Sequence, residues 1–225
     1  MEVFTDNHSG YKFVMASGND CANHIKKHGI FEWPLIKWCE QFCSPDKLFL
    51  DIGAHMGTYS MHLSKFSDQV YAFEAQASTF KNLTRGIELN GRVNIKANNF
   101  GLSDYNGDSA LFKVSADGGG STLDPDVADH IGDKFGKELV HVRTLDSFGL
   151  DNVGFLKLDV EGSELNVLKG GLETLERSGW PKFIFEAWPD AWYAKQRQEL
   201  ITFVKSLGYT VTPIRGYNNM YLAHH

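Results

Sequence analysis

The run Leu48-Phe49-Leu50-Asp51-Ile52-Gly53-Ala54-His55-Met56-Gly57-Thr58-Tyr59-Ser60 constrains this chain more than any other stretch. Leu48 to Ile52 is a short apolar segment of the kind that forms a buried strand, and Gly53 and Gly57 mark a tight turn. From Thr58 to about Phe66 the apolar spacing becomes helical, with Tyr59, Met61, His62, Leu63 and Phe66 able to share faces. The order is strand, glycine turn, helix. Such a unit is expected to bring bare backbone N–H groups and a helix N-terminus above the strand end, where a ligand can approach closely.

A second strand-like run, Gln69 to Phe73, ends in Glu74. An acid at the tip of a second strand, about 20 residues after the turn, is placed to accept hydrogen bonds from ribose hydroxyls. The turn itself lacks the dinucleotide fingerprint. Its spacing is Asp51-x-Gly53-x-x-x-Gly57, without the third glycine that a pyrophosphate's close approach requires. Asp51 also suits a cationic ligand better than an anionic one. S-adenosylmethionine carries a ribose, a sulfonium and an ammonium but no phosphate, and it fits these features better than NAD.

The segment from Asp51 to Gly57, with Leu156-Lys157-Leu158-Asp159-Val160-Glu161-Gly162-Ser163-Glu164 further on, resembles the FkbM-type S-adenosylmethionine-dependent O-methyltransferases. Gly29-Ile30-Phe31-Glu32, Gly101-Leu102-Ser103-Asp104 and Arg143-Thr144-Leu145-Asp146 agree with it, so the resemblance runs from Gly29 to Glu186. At position 55 the family usually has Asn, and this chain has His. The strand-end reading and the resemblance together give a cofactor-binding set of Glu32, Asp51, Gly53, Ala54, His55, Gly57, Glu74, Asn99 and Asp159. Glu32 enters that set from the resemblance alone.

With 225 residues and 42% hydrophobic content, the chain can build one α/β domain with a full core. No apolar run approaches the roughly 20 residues of a membrane span. Met1 to Tyr11 is polar and acidic, unlike a secretory leader, and three cysteines form no even disulfide framework. The expected location is therefore a reducing one, the cytoplasm. A net charge of −6 argues against nucleic acid as a partner, since a phosphate backbone calls for a basic stripe.

Residues 1–44 read as an N-terminal extension packed on the core, and 45–225 as the cofactor-binding domain. In the extension, Tyr11 to Met15 suggests a strand and Ser17-Gly18-Asn19-Asp20 a turn. Asp20 is expected to cap a helix running to His28, and a second helix is expected from Phe31 to Cys43 with Pro34 in its first turn. Cys21, His24 and His28, with Cys39 and Cys43, have spacings that zinc ligands use. Thiols one helical turn apart beside Leu35 and Ile36 read better as packing, so no metal is assigned there.

Further on, Ala77 to Asn90 reads as an amphipathic helix and Val93 to Ala97 as a third strand. Asn99 follows, placed to meet the adenine or simply to make a turn. Ser109 to Val114 and His141 to Leu145 are expected strands. Asp117-Gly118-Gly119-Gly120-Ser121-Thr122 is the most flexible stretch, either a cover for the substrate or a plain connection. Residues 123–140 have no assignment. Phe155 to Leu158 and Phe183 to Phe185 complete the main strands, with helices from Ser163 to Arg177 and from Trp192 to Leu207. Tyr209 to Val211 and Met220 to Leu222 form a closing hairpin. The expected fold is α/β, a Rossmann-like class I methyltransferase with a mostly parallel seven-stranded sheet, one antiparallel strand and helices on both faces.

Asp51, Glu74, Asp159 and Glu186 each end an expected strand, and in this topology those ends line one crevice. A sugar or alkyl hydroxyl is a weak nucleophile, so a group must take or polarise its proton. Asp159 is the expected general base. Lys157, two residues earlier on the same side of the strand, either tunes that carboxylate, binds substrate oxygen or makes a structural ion pair. Glu186 joins the catalytic set through a competing version, in which Asp159 and Glu186 on adjacent strands hold one Mg²⁺ that lowers the hydroxyl pKa in place of a general base; the sequence leaves both versions open. Glu161 and Glu164 suit a helix start through its dipole whatever their function, and Glu161, nearer the crevice, is the better functional candidate. Trp188 and Trp192 read as a sugar-stacking platform or as core. The acceptor is expected to be a small molecule or glycan, with no membrane partner. An NAD-dependent oxidoreductase, an RNA ribose 2'-O-methyltransferase and a cofactor-binding scaffold without turnover are the alternatives.

Overall fold

The structure is a computed structural model that describes residues 1–15, 20–115, 118–132 and 135–225. The turn expected at Ser17 to Asn19, the Asp20 side-chain cap and Asp117 of the glycine stretch lie outside the described set.

The chain begins with an antiparallel hairpin, β1 (Glu2–Thr5) and β2 (Lys12–Met15), followed by α1 (Asp20–His28). The second helix, α2 (Trp33–Cys39), starts later than the spacing suggests and passes into a 3₁₀ turn at Glu40–Phe42. The delay has a local cause: Glu32 adopts a left-handed conformation with φ 56°, which no α-helix continues through. Pro34 sits in the first turn of α2, where its missing N–H costs nothing.

The main sheet comprises β3 (Leu48–Ile52), β4 (Gln69–Phe73), β5 (Ile95–Asn98), β9 (Val153–Leu158), β10 (Lys182–Glu186), β11 (Thr210–Pro213) and β12 (Met220–His224). They lie in the order β5-β4-β3-β9-β10-β12-β11, and β12 alone runs antiparallel to its neighbours. This is the expected sheet. The helices between its strands are α3 (Thr58–Leu63), α4 (Ala77–Leu89), α5 (Pro125–Ile131), α6 (Glu164–Lys169), α7 (Leu172–Arg177) and α8 (Ala194–Ser206).

Both faces of the sheet are covered, which explains why its central strands are continuous apolar runs rather than alternating ones. Phe49 faces one core with Ile25 of α1, Leu35 of α2, Met61 of α3 and Leu83 of α4. Its neighbour Leu50 faces the other, with Val127 of α5, Val167 of α6, Leu175 of α7 and Leu200 of α8. The N-terminal hairpin contributes Phe4 and Phe13 to the first of these cores.

Two further local expectations need correction, and one unassigned region gains its structure. The single helix from Ser163 to Arg177 is two, α6 and α7, interrupted at Gly170 and Gly171. The interruption lets Gly170 approach another segment so closely that a Cβ there would stand 2.0 Å from the Ser103 carbonyl oxygen. The unassigned 123–140 region contains α5 and most of a strand. Asp124 starts α5 by accepting from the Asp126 and Val127 backbone N–H groups. The strand, β8 (Lys137–Arg143), lies between β6 (Gly101–Leu102) and β7 (Gly107–Phe112) in a separate three-stranded sheet. The strand expected at Ser109 to Val114 is thus β7, two residues earlier. Among the described residues no helix is long and apolar enough to cross a membrane.

Candidate active site

A cleft of about 1000 Å³ opens beyond the carboxyl ends of β3, β4 and β9. It occupies the switch point of the sheet, where the strand order reverses between β3 and β9.

The glycine turn forms its floor. Gly53 has φ 79°, and a Cβ there would lie 1.8 Å from the Asp159 carbonyl oxygen, so only glycine lets the β3 and β9 tips meet. Four of this turn's N–H groups are not bare, contrary to the expectation from sequence. Gly53 and Ala54 both donate to the Phe73 carbonyl, Gly57 donates to Ala54, and the His55 N–H donates to Glu74 Oε2 at 2.9 Å. Donors already committed inside the protein leave no phosphate cradle at these positions.

Asp51 lies beneath the turn rather than in the cleft. It is 1% exposed, and its Oδ2 accepts from the Ser60 backbone N–H at 2.9 Å and from the Ser60 hydroxyl at 2.5 Å. Burial raises its carboxyl pKa, against the pull of Lys157 and Ser60. Lys157 is also buried. Its Nζ donates to the Gly53 carbonyl at 2.7 Å and stands 3.2 Å from Asp159 Oδ2 and 3.8 Å from Asp51 Oδ1. Burial alone would depress its ammonium, but Asp159, Asp51 and Glu32 outweigh it and hold the group above the usual lysine range. Lys157 is therefore a fixed cation linking the turn to the β9 tip. Of the two aspartates, Asp159 alone opens to the cleft, with 28% of its side chain exposed.

On the β4 side, Glu74 lines the cleft as a nearly buried carboxylate held by two backbone donors, from His55 and Gln76 at 2.9 Å each. Burial raises its pKa, with His55 and those donors opposing. Asn99 does not line the cleft. Its amide donates to the Glu74 and Ala75 carbonyls at 2.8 and 3.0 Å, which holds the loop in place, and Phe100 and Leu102 form the wall beside it. Asn99 thus takes the turn role.

Glu32, His55 and Glu161 all line the cleft, and all three hold left-handed backbones, with φ of 56°, 50° and 55°. Only two other non-glycine residues among those described do so. Such strain persists where surrounding structure fixes it, and it gathers at functional sites. Glu32 accepts from the Tyr59 hydroxyl at 2.8 Å, and burial with Asp159 nearby raises its carboxyl. Glu161 is pushed up to about 8 by burial, Asp159 and Glu164. The Thr122 hydroxyl donates to the Glu161 carbonyl at 2.6 Å, and Ser121 donates to Gln76, so the glycine stretch is anchored against the cleft. Composition alone does not place Glu161 in the cleft; its position two residues after Asp159 was the available signal. Tyr59 and Phe100 carried none.

The remaining candidates separate. Glu186 lies outside the cleft lining but within reach of Asp159 and Glu161. Trp192 stacks on His130 with centroids 4.5 Å apart, and Trp188 packs edge-on against Tyr193; neither lines the cleft. Burial raises the Cys39 and Cys43 thiols, Cys43 to about 11, the opposite of what a thiolate ligand needs. Cys21 and His24 line the cleft, and His24 stacks there on Phe31 with ring centroids 3.9 Å apart.

Residues 51–211 match the family model described as the methyltransferase FkbM domain. The chain belongs to the FkbM methyltransferase family. Two methyltransferases are similar to it: methyltransferase 1 of Beauveria bassiana, 28% identical over 145 residues, and methyltransferase sdnD of Sordaria araneosa, 30% identical over 152. The matches cover 56% and 54% of this chain and 58% and 59% of those proteins, so it spans about three fifths of their length. A crystal structure of methyltransferase FkbM from Methylobacillus flagellatus shares the fold, with TM-score 0.55 and 19% identity over 80% of this chain and 44% of that one. A Streptococcus mutans protein solved in complex with SAH also shares it, with TM-score 0.50 and 14% identity over 84% and 93% of the two chains.

Proposed function

We propose that this FkbM chain transfers a methyl group from S-adenosylmethionine to a hydroxyl of a small molecule, a sugar or glycan hydroxyl being the preferred acceptor. The observation that carries the reading is the pairing of committed N–H groups at the glycine turn with the Glu74 carboxylate at the β4 tip. That pairing suits a nucleoside with ribose hydroxyls and no phosphate. The S. mutans protein's complex with SAH supports the same choice.

In this reading Glu74 accepts from the ribose, and Phe100 and Leu102 offer an apolar wall to the adenine. Glu32, with the carbonyls and carboxylate around Gly53 and Asp159, suits a cationic amino-acid tail. The cofactor supplies an electrophilic methyl on a sulfonium. Asp159 faces the cleft and accepts the acceptor hydroxyl's proton at a carboxylate oxygen. Lys157 fixes Asp159 at 3.2 Å, so it orients the base. Holding the acceptor oxygen in line is the largest effect available to such a site. The His24–Phe31 stack in the cleft lining offers the acceptor an aromatic surface. The acidic balance of the chain, −6, favours an uncharged acceptor over a phosphate backbone.

Calorimetry with SAH and with NAD tests the cofactor, and mass spectrometry of candidate glycans incubated with methyl-labelled cofactor tests the acceptor. SAH is expected to bind and NAD to fail. NAD binding without SAH binding would overturn the reading.

A further inference from the structure

We infer that Asp159, Glu161 and Glu186 together form a site for one hard divalent cation. Placement on adjacent strands already suggests the pair Asp159 and Glu186; the third carboxylate, Glu161, completes a ligand set. The site's use in catalysis rests on the proposed methyl transfer, whereas its occupancy does not.

One carboxylate oxygen from each of the three residues lies within 4.8 Å of the other two. Like charges held so close repel unless a cation or shared protons offset them. Glu186 supplies the independent sign. It is 8% exposed, its Oε1 accepts from Asn219 at 2.6 Å, and its Oε2 has no hydrogen-bond partner among the described residues. Buried carboxylate oxygens rarely lack a partner. Lys157 does not fill the role, because its ammonium is spent on the Gly53 carbonyl, Asp159 Oδ2 and Asp51. The left-handed backbone at Glu161, with its carbonyl fixed by Thr122, lets this side chain join a group that the strand tips alone would leave at two.

The donors are all carboxylate, which selects Mg²⁺, Mn²⁺ or Ca²⁺ over the softer metals that thiols and imidazoles prefer. The three oxygens lie within 4.8 Å of one another, so side-chain movement that draws them together would bring them onto one ion. A cation held there would polarise the acceptor hydroxyl and so ease the transfer of its proton to Asp159.

The test is an Mn²⁺ titration of the full chain followed by the electron paramagnetic resonance signal of free Mn²⁺, with and without SAH. One Mn²⁺ is expected to be retained per chain. Glu186→Gln and Glu161→Gln should each weaken retention at least tenfold, and Glu173→Gln, an exposed carboxylate paired with Arg177, should leave it unchanged. Mg²⁺ or Ca²⁺ should displace the Mn²⁺. Circular dichroism confirms that each variant is folded, and the wild-type titration stands if one is not. No retention in either arm, or retention indifferent to both cluster variants, overturns the inference. SAH binding by calorimetry is read separately, so a chain that binds SAH but no Mn²⁺ loses the metal site and keeps the proposed function.

Discussion

The tips of β3 and β9 lie side by side and share one lysine, yet they carry carboxylates of opposite kinds. Asp51 is sealed beneath the glycine turn, and its hydrogen bonds run to Ser60 at the start of α3. Asp159, one residue beyond Leu158, the register partner of Ile52, opens to the cleft while Lys157 steadies it. Residue type and strand-end position are the same in both. What separates a scaffold from a candidate base is whether backbone donors and burial have already consumed the carboxylate.

The comparison breaks most visibly at Asp159. Asp159→Asn should lower turnover about 1000-fold, within the range of a lost general base, while SAH affinity by calorimetry stays within about threefold. A variant that loses SAH binding in proportion to turnover would make Asp159 a binding residue instead. Asp51→Ala should do the reverse and act on stability. It removes a buried partner of Lys157 and two hydrogen bonds to Ser60, and urea unfolding should show a loss of about 3 kcal/mol. Gly53→Ala follows, at about 2 kcal/mol or more, because its side chain meets the Asp159 carbonyl and its φ is positive. Its loss should reach turnover as well, since the clash displaces the β9 tip.

Glu74→Gln is the smaller test, at the ribose end. SAH affinity should fall about tenfold, the scale of a hydrogen bond to a charged acceptor. Burial raises the Glu74 carboxyl, so the folded state keeps its proton to a higher pH than the unfolded chain does. Its contribution to stability is therefore greatest at low pH and declines as pH rises from the ordinary carboxylate value of 4.5 to the raised folded value. Unfolding curves across that window should flatten in Glu74→Gln. SAH binding, which uses the charged form, should weaken as pH falls through the same window in the wild type and not in the variant.

The sheet and turn were legible because a strand buried on both faces must be apolar throughout, as Leu48 to Ile52 is, and because only glycine permits the Gly53 contact. The strand-end acids were legible from topology. Their roles were not, since those depend on partners far apart in sequence: Ser60 for Asp51, and the Glu74 and Ala75 carbonyls for Asn99. The break between α6 and α7 was hidden for the same reason, as it answers to the Ser103 carbonyl. Glu161 was legible as the acid nearer the crevice, but not how it gets there: α6 begins only at Glu164, and Glu161 lines the cleft on a left-handed backbone.

Crystals soaked with SAH measure the central claim most directly. The ribose hydroxyls should lie within hydrogen-bonding distance of the Glu74 carboxylate, with the sulfur directed towards Asp159. Density for SAH elsewhere on the surface, or a pyrophosphate-bearing ligand seated on the glycine turn, would contradict the account.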